Sequence, residues 1–150
     1  MTFFQFEADF VDSLRCIPMI VRLKLDTCGV KLKLAEWNRF TQSECQQLVE
    51  LPCEEIGATN TYREYVSQLI HQHTGNQASL LTIDPQPSWL NDREIPPSIE
   101  TKAAEVQARI SLAEWSNLTP LQRFALIKLT RSSHENNNFL PALTEFGLLN

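Results

Sequence analysis

Apolar residues recur three and four positions apart in several stretches of this chain, which predicts a mainly helical protein. The clearest stretch follows Thr61 and Glu64, which form a Thr-x-x-Glu capping box, and it ends at Gly75. Its apolar positions are Tyr62, Tyr65, Val66, Leu69 and Ile70. We therefore expect a helix from about Thr61 to Gly75.

The apolar pattern is also repeated along the chain. Residues 17–52 return at 95–130 without a gap, with every position shifted by 78. Ten of the 36 matched positions are identical, whereas average residue usage gives about two. The identical pairs are Ile17/Ile95, Pro18/Pro96, Lys24/Lys102, Leu34/Leu112, Ala35/Ala113, Glu36/Glu114, Trp37/Trp115, Thr41/Thr119, Leu48/Leu126 and Leu51/Leu129. The sequence is therefore an internal duplication of one helical unit.

Helix start and stop signals lie at the expected places in the first copy. Pro18 suits the first turn of a helix, and Gly29 suits the left-handed residue just past its end. Thr41 and Glu44 form a second capping box, which predicts a helix to about Leu51.

The second copy predicts the same plan, with helices over about 98–108 and 120–131 and a final helix from about Phe139. The helix over 120–131 is apolar on nearly all sides, so we expect it to be the most buried. Trp37 and Trp115 occupy equivalent positions, and we interpret them as the core anchors of the two halves.

Two units are too few for a solenoid, and neither could bury enough apolar surface alone. We therefore expect an all-α fold in which the halves pack on each other as a single compact pseudo-symmetric domain of residues 1–150. Repeat unit 1 covers about 10–75 and repeat unit 2 about 98–150, each with three helices. An irregular connector covers about 76–97.

The connector is rich in proline, yet we expect it to be ordered. Trp89 can anchor it to the core, and its other apolar residues give it surface to bury, namely Leu80, Leu81, Ile83, Leu90 and Ile95. Two alternating stretches predict short extended segments: one carries Phe4, Phe6 and Phe10, and the other Leu32 and Leu34.

Composition narrows the functional classes. The chain has 150 residues, 43% hydrophobic and 21% charged, which is typical of a soluble globular domain. The acidic start, with Glu7 and Asp9, does not resemble a secretory signal, and no apolar run reaches the roughly 20 residues of a membrane span. The net charge of −5 disfavours nucleic acid as a partner. We expect a cytoplasmic protein that contacts neither membrane nor nucleic acid.

One segment departs from the acidic average. Residues 15–39 contain six basic residues and only two acidic ones, Asp26 and Glu36. The basic residues are Arg15, Arg22, Lys24, Lys31, Lys33 and Arg39. Such a run is typical of a solvated helix face, and it also fits a positive patch that binds an acidic surface.

The cysteines and histidines show no recognisable ligand spacing. Cys16, Cys28, Cys45 and Cys53 form no Cys-x-x-Cys pair, and His71 and His73 are two apart rather than the four that a helical metal pair needs. Buried, inert thiols are the simpler interpretation. We predict no metal and no cofactor, although a site assembled from distant residues stays open.

A dense polar run, residues 131–138, interrupts the repeat; it comprises Arg131, Ser132, Ser133, His134, Glu135, Asn136, Asn137 and Asn138. This run can be interpreted structurally, as an asparagine-rich turn before the last helix, or functionally, as a partner-binding loop. A catalytic loop is disfavoured because no Gly-x-Ser-x-Gly elbow accompanies the Ser-His pair. The sequence therefore predicts no catalytic residues.

Several strings together resemble the cyanobacterial nitrate reductase-associated protein family. They are Phe6-Glu-Ala-Asp-Phe10, Leu14-Arg-Cys-Ile-Pro18, Lys24-Leu-Asp-Thr-Cys-Gly29, Lys31-Leu-Lys-Leu-Ala-Glu-Trp-Asn38, Leu118-Thr-Pro-Leu-Gln-Arg-Phe-Ala-Leu-Ile-Lys-Leu129, Arg131-Ser-Ser-His-Glu-Asn136 and Asn138-Phe-Leu-Pro-Ala-Leu143. The middle, about 54–98, matches less distinctly. The resemblance implies a cytoplasmic accessory protein for assimilatory molybdenum-dependent nitrate reductase, acting in maturation, assembly or stabilisation. It supplies no catalytic residues.

Two hypotheses follow. In the first, a non-catalytic protein binds immature nitrate reductase through the basic run or the polar loop; the candidate residues are Arg15, Arg22, Lys24, Lys31, Lys33, Arg131, Ser132, Ser133, His134, Glu135 and Asn136. In the second, a small redox or metal-carrying protein serves the reductase through Cys16, Cys28, Cys45, Cys53 and His134.

Overall fold

A computed structural model describes residues 3–7, 16–131 and 138–148 and confirms the mainly helical fold class. The α-helices of this part of the chain are α1 (Met19–Cys28), α2 (Leu34–Trp37), α3 (Gln42–Glu50), α4 (Ile56–Thr74), α5 (Pro97–Glu105), α6 (Leu112–Asn117), α7 (Pro120–Leu129) and α8 (Phe139–Glu145). Two short 3-10 helices cover Gln5–Glu7 and Ser88–Leu90. Strands β1 (Val30–Lys31) and β2 (Ser79–Leu80) pair antiparallel, with Val30 opposite Leu80 and Lys31 opposite Ser79.

The contacts divide the chain into two compact units. Unit 1 contains Met1–Phe3 and Glu7–Asp84, and unit 2 contains Phe4–Phe6 and Pro85–Asn150. The prediction that the two repeats pack on each other as a single domain stays a prediction.

In unit 1, the long helix α4 packs on α1, and α2, α3 and the β-ribbon add to the same core. Glu7 is buried and accepts a hydrogen bond from the backbone N–H of Met19 at 3.1 Å, so a carboxylate caps the first turn of α1 from outside the helix. The core residues are Val21, Leu25, Cys28, Val30, Trp37, Phe40, Cys45, Leu48, Val49, Cys53, Tyr62, Val66, Leu69 and Ile70.

In unit 2, α7 is the most buried helix, as its all-round apolar sequence predicts. The ring of Trp89 meets Phe124 edge-on at 5.0 Å between centroids, which confirms Trp89 as the anchor of the connector. Arg123 is also buried on α7; its guanidinium donates to the backbone carbonyls of Trp89, Trp115 and Leu118.

The duplication is visible in where the helices begin. The first residues of α1, α2 and α3 lie 78 positions before those of α5, α6 and α7. The capping boxes match too, because Thr41 with Glu44 is repeated as Thr119 with Gln122. Local hydrogen bonds at the caps of α3 and α7 therefore set the same starting residue in both copies.

The equivalent core positions are buried in both copies. Trp37 and Trp115 are both fully buried, which confirms them as core anchors. Cys45 and Arg123 occupy equivalent positions, and each donates to the backbone carbonyl of its own tryptophan. The repeat thus preserves the hydrogen-bonded position while the residue type changes.

The last helices of the two copies, α4 and α8, differ, and the predicted start of α4 was wrong. Helix α4 begins at Ile56, five residues before Thr61, and it has 19 residues against seven in α8. The Thr61 hydroxyl donates back to the carbonyl of Gly57 at 3.0 Å, a bond that a threonine makes inside a helix rather than at its cap.

Two further expectations failed. The side chains of Leu80, Leu81, Ile83 and Leu90 are exposed rather than buried, although Leu80 belongs to an ordered strand. The segment around Phe4 and Phe6 is a 3-10 helix rather than a strand, because both rings pack on Phe146 and the amides of Gln5 and Phe6 bind the Glu145 carboxylate. Phe10 lies outside the described residues.

The chain reverses after α1 and after α5 through equivalent left-handed residues. Gly29 has φ +80° and Gln107, 78 positions later, has φ +58°. Glycine adopts this conformation freely, whereas a residue with a Cβ does so at a cost of about 1–2 kcal/mol. Gln107 therefore holds a strained turn that the first copy makes with glycine.

We expect Gln107→Gly to raise the free energy of unfolding by about 0.5–1 kcal/mol, because relief of strain exceeds the added entropy of the unfolded chain. Urea denaturation followed by circular dichroism measures it. Gly29→Ala is the opposite control and should cost about 1–3 kcal/mol, since an added Cβ would also lie 2.8 Å from the Ile83 side chain. A destabilised Gln107→Gly variant would show that the turn at Gln107 stores no strain.

Candidate functional site

A mixed basic and apolar surface surrounds the β-ribbon of unit 1. Lys31 and Lys33 are exposed, and so is Leu34, the residue after Lys33. On the opposite strand Leu80 is 72% exposed, and Leu81 follows it; Leu80 pairs with Val30, so its side chain lies on the ribbon face opposite to that of Lys31. We call these five residues the ribbon surface. A group of exposed leucines is typical of a surface that another protein covers.

The ribbon surface is held rigidly from beneath. Val30 is fully buried, and the backbone N–H of Leu81 donates to the carbonyl of Gly29 at 2.8 Å. The backbone N–H of Lys33 donates to the Glu36 carboxylate, also at 2.8 Å, which fixes the start of α2. The lysine side chains therefore project from a fixed backbone.

Lys24 of the predicted basic run is used inside unit 1. Its ammonium donates to the carbonyls of Val49 and Leu51, at 2.6 and 2.5 Å, and it lies over the ring of Tyr62. Burial lowers the pKa of Lys24, against the raising effect of nearby Cys53 and Glu54. Its role in the structure is to cap the end of α3.

A pair of thiols lies beside Lys24, and the spacing of the cysteines in the sequence does not reveal it. The thiols of Cys28 and Cys53 lie close enough for each to shift the pKa of the other. They also donate to successive carbonyls of α1: Cys53 to Lys24 at 3.5 Å and Cys28 to Leu25 at 3.6 Å. Both are free thiols and both are buried.

The surroundings of the two sulfurs are unequal. The neighbouring thiol of Cys28 lowers the pKa of Cys53, as do the Thr59 hydroxyl and the charges of Lys24 and Arg63, against the opposing effect of burial. For Cys28, the neighbouring thiol of Cys53 and burial raise the pKa. Cys53 is therefore the thiol that ionises more readily.

The family model of the conserved nitrate reductase-associated protein matches residues 3–146 of this chain. The chain belongs to the nitrate reductase-associated protein family. A comparison with curated proteins and with solved structures gave no match. The family's description is that of an associated protein, which agrees with an accessory role.

In this member of the family, the candidate partner-binding residues are spread over several environments. Lys31 and Lys33 lie on the ribbon surface, and Arg131 is exposed after the end of α7. Arg22 is half-buried, and its Nε donates to the carbonyl of Ile17 at 3.2 Å. The remaining candidates lie outside the described residues; they are Arg15, Ser132, Ser133, His134, Glu135 and Asn136.

The other potential ligands of this family member lie apart from the thiol pair. His73 contacts the Glu44 carboxylate at 2.8 Å, and the thiol of Cys45 is buried against the carbonyl of Trp37. Burial raises the pKa of Cys45 to about 11. Within residues 3–7, 16–131 and 138–148, no three His, Cys, Asp or Glu side chains form a group that could hold a metal ion.

A cleft of about 680 Å³ lies in unit 2, beside α5 and the start of α6. Its walls include Ile99, Ala103 and Ile110, with the charged residue Arg109. Glu114 also lines it, but its carboxylate already accepts a hydrogen bond from the backbone N–H of Ser111.

Across the described part of the chain, no helix is both long and apolar enough to span a membrane.

Replacing Lys24 by methionine should lower the free energy of unfolding by about 1–2 kcal/mol, because the carbonyls of Val49 and Leu51 lose their charged donor. Chemical denaturation measures the loss. Lys102→Met is the matched control, since Lys102 is the repeat equivalent and its ammonium lies 3.6 Å from the exposed carboxylate of Glu105. We expect it to change stability by less than about 0.5 kcal/mol. Equal effects would show that the α3 cap is unimportant.

Proposed function

We propose that this protein is a non-catalytic accessory protein of assimilatory molybdenum-dependent nitrate reductase. It binds the immature enzyme in the cytoplasm and acts in its maturation, assembly or stabilisation. The observation that carries the proposal is the match of the nitrate reductase-associated family to residues 3–146. That match suggests the partner, and the exposed surfaces of the fold suggest where the partner binds.

The ribbon surface supports the proposal on physical grounds. It combines exposed apolar side chains, Leu34 and Leu80, with the cations Lys31 and Lys33 on a fixed backbone. Apolar area supplies the free energy of association, and surrounding charge selects the partner and speeds the encounter. The matching surface of the reductase is therefore acidic with an apolar centre.

The polar run from Arg131 to Asn138 is the second proposed contact. Arg131 is exposed, and its backbone N–H donates to the carbonyl of Lys128, so the run starts directly from the end of α7. Arg131 is therefore held at the end of a buried helix, and residues 132–137 of the run lie outside the described residues.

A pull-down with the tagged protein tests the partner. We expect it to retain nitrate reductase, and to retain enzyme made without molybdenum cofactor more strongly than the mature enzyme. Association with the reductase at no stage of maturation would contradict the proposal. A reductase of reversed surface charge would serve as the specificity control.

The double variant Lys31→Glu/Lys33→Ser tests the ribbon surface. It should weaken the association by about tenfold, because it replaces one cation by an anion and removes the other at the edge of the contact. Serine is the residue at the equivalent position 111, where it caps α6, so the change suits the fold. Calorimetry or biolayer interferometry gives the affinities.

Arg109→Glu is the matched control, since Arg109 is exposed and is the repeat equivalent of Lys31. It should leave the affinity within about twofold. If Arg109→Glu weakens binding as much as the double variant, net charge rather than the ribbon surface governs the association.

Co-expression of the reductase with and without this protein identifies the step that is assisted. We expect the reductase to lose activity when the protein is absent. Loss of molybdenum or iron from the polypeptide would indicate insertion, and loss of polypeptide would indicate stabilisation. Full activity of the reductase without this protein would contradict an accessory role.

The second candidate function is a small redox or cofactor-carrying protein that serves the same reductase. Its redox form is favoured because Cys28 and Cys53 place their thiols on successive carbonyls of α1. An absorption spectrum and elemental analysis of anaerobically purified protein test the metal-carrying form, for which stoichiometric iron or zinc is the required result.

A further inference from the structure

Cys28 and Cys53 are far apart in sequence, and the fold brings both thiols to the same turn of α1. Cys28 is the last residue of α1, and Cys53 lies between α3 and α4. Their hydrogen bonds to the neighbouring carbonyls of Leu25 and Lys24 place both thiols along the same turn of α1. The two elements that carry the thiols are thereby held in register.

We propose that Cys28 and Cys53 form a reversible dithiol–disulfide centre, in which Cys53 attacks a disulfide substrate and Cys28 resolves the mixed disulfide. The proposal does not depend on nitrate reductase being the partner. A disulfide of a small thiol such as glutathione, or of a redox protein, provides the oxidant.

The positions of the two thiols set the order of the steps. Cys53 is 4% exposed and lies between the exposed residues Pro52 and Glu54, so only a thin surface turn covers it. Cys28 has no exposed surface. An incoming disulfide therefore reaches Cys53 first.

The start of α4, next to the turn over Cys53, has no side-chain cap. Glu55 provides none and Ile56 is 84% exposed, although the Thr59 hydroxyl does donate to the Cys53 carbonyl at 3.0 Å. Uncapped helix ends fray, because their backbone donors bind water as readily as they bind the helix. Fraying of this turn would expose Cys53 without disturbing the core around Cys28.

Charge near the thiols favours the attacking thiolate. Lys24 and Arg63 lie on the two helices that flank the pair, and Arg63 Nε donates to the carbonyl of Cys28 at 2.7 Å. The Thr59 hydroxyl accepts from the Cys53 thiol at 3.9 Å and donates to the Cys53 carbonyl at 3.0 Å; rotation of this hydroxyl toward the sulfur would stabilise the thiolate. Two other titratable groups face the site. Tyr62 interacts electrostatically with Cys28 and Cys53, and Glu54 interacts electrostatically with Lys24.

The reaction balances as thiol–disulfide exchange. The Cys53 thiolate attacks one sulfur of glutathione disulfide, the substrate S–S bond breaks, and one glutathione leaves as the thiol. Cys28 then loses its proton and attacks the Cys53 sulfur, which releases the second glutathione. Two thiols of the protein become one disulfide, and their two electrons and two protons end on two glutathione molecules.

The test equilibrates the full-length reduced protein in glutathione buffers of graded oxidation, followed by acid quenching, alkylation with N-ethylmaleimide and mass spectrometry. We expect the loss of two hydrogen atoms and a cross-linked peptide joining Cys28 to Cys53, both reversed by dithiothreitol. The oxidised form should melt about 5–10 °C higher, because the bond closes a long loop. No linkage under any buffer, or a linkage between another pair, would overturn the proposal.

Single variants test the order of attack. Cys28→Ser should accumulate glutathione on Cys53, whereas Cys53→Ser should leave Cys28 unmodified; the reverse pattern would overturn the assigned roles. Cys45→Ser is the matched control, a buried thiol outside the pair, and should still form the Cys28–Cys53 bond. Should a variant fail to fold, alkylation of the wild type decides, with Cys53 expected to react at least about tenfold faster than Cys45 at neutral pH. Equal rates would overturn the proposal.

Discussion

The left-handed turn at Gly29 is the constraint on which the candidate sites of unit 1 depend. An added Cβ would meet the Ile83 side chain at 2.8 Å and the Leu81 carbonyl at 3.1 Å, so only glycine allows the two backbones to lie this close. The residue before the turn, Cys28, faces the core. Lys31, two residues after Gly29, is at the surface, opposite Ser79 on β2. The turn at Gly29 thus separates the buried thiol of Cys28 from the exposed side chain of Lys31.

The two copies of the repeat show how one frame carries different chemistry. Both keep a fully buried tryptophan, and in both a side chain from the next helix donates to its carbonyl. In unit 1 that donor is the thiol of Cys45. In unit 2 it is Arg123, whose charge three carbonyls stabilise although burial lowers the pKa of its guanidinium. The two copies therefore keep a hydrogen-bond donor at this position, whereas the type of residue that donates differs.

Much of the fold follows from short-range signals that the sequence displays directly. The starts of α3 and α7 were predicted correctly because Thr41 and Thr119 each complete their own capping box within one turn. The start of α4 was not, because no side chain caps it and the Thr-x-x-Glu signal five residues later is only a local bond inside the helix. The exposed Leu80 was misassigned because hydrophobicity alone does not show how far a face is covered: Leu80 stays exposed although its strand partner Val30 is buried.

The candidate site was predictable only in part, for the same reason. The exposed positions of Lys31 and Lys33 agree with the charge pattern of the sequence. The inward role of Lys24 depends on Val49 and Leu51, and the partner of Cys28 is Cys53. Such pairings arise only when α1, α3 and α4 pack together, and no local spacing announces them.

The thiol pair and the ribbon surface share the turn at Gly29. Between Cys28 and Lys31 the chain contains only Gly29 and Val30, and both are buried. A Cβ at Gly29 would meet the side chain of Ile83 and the carbonyl of Leu81, so a larger residue there must displace one backbone from the other. Such a change would therefore disturb the position of Cys28 and that of Lys31 together, because packed segments of this kind have little free volume.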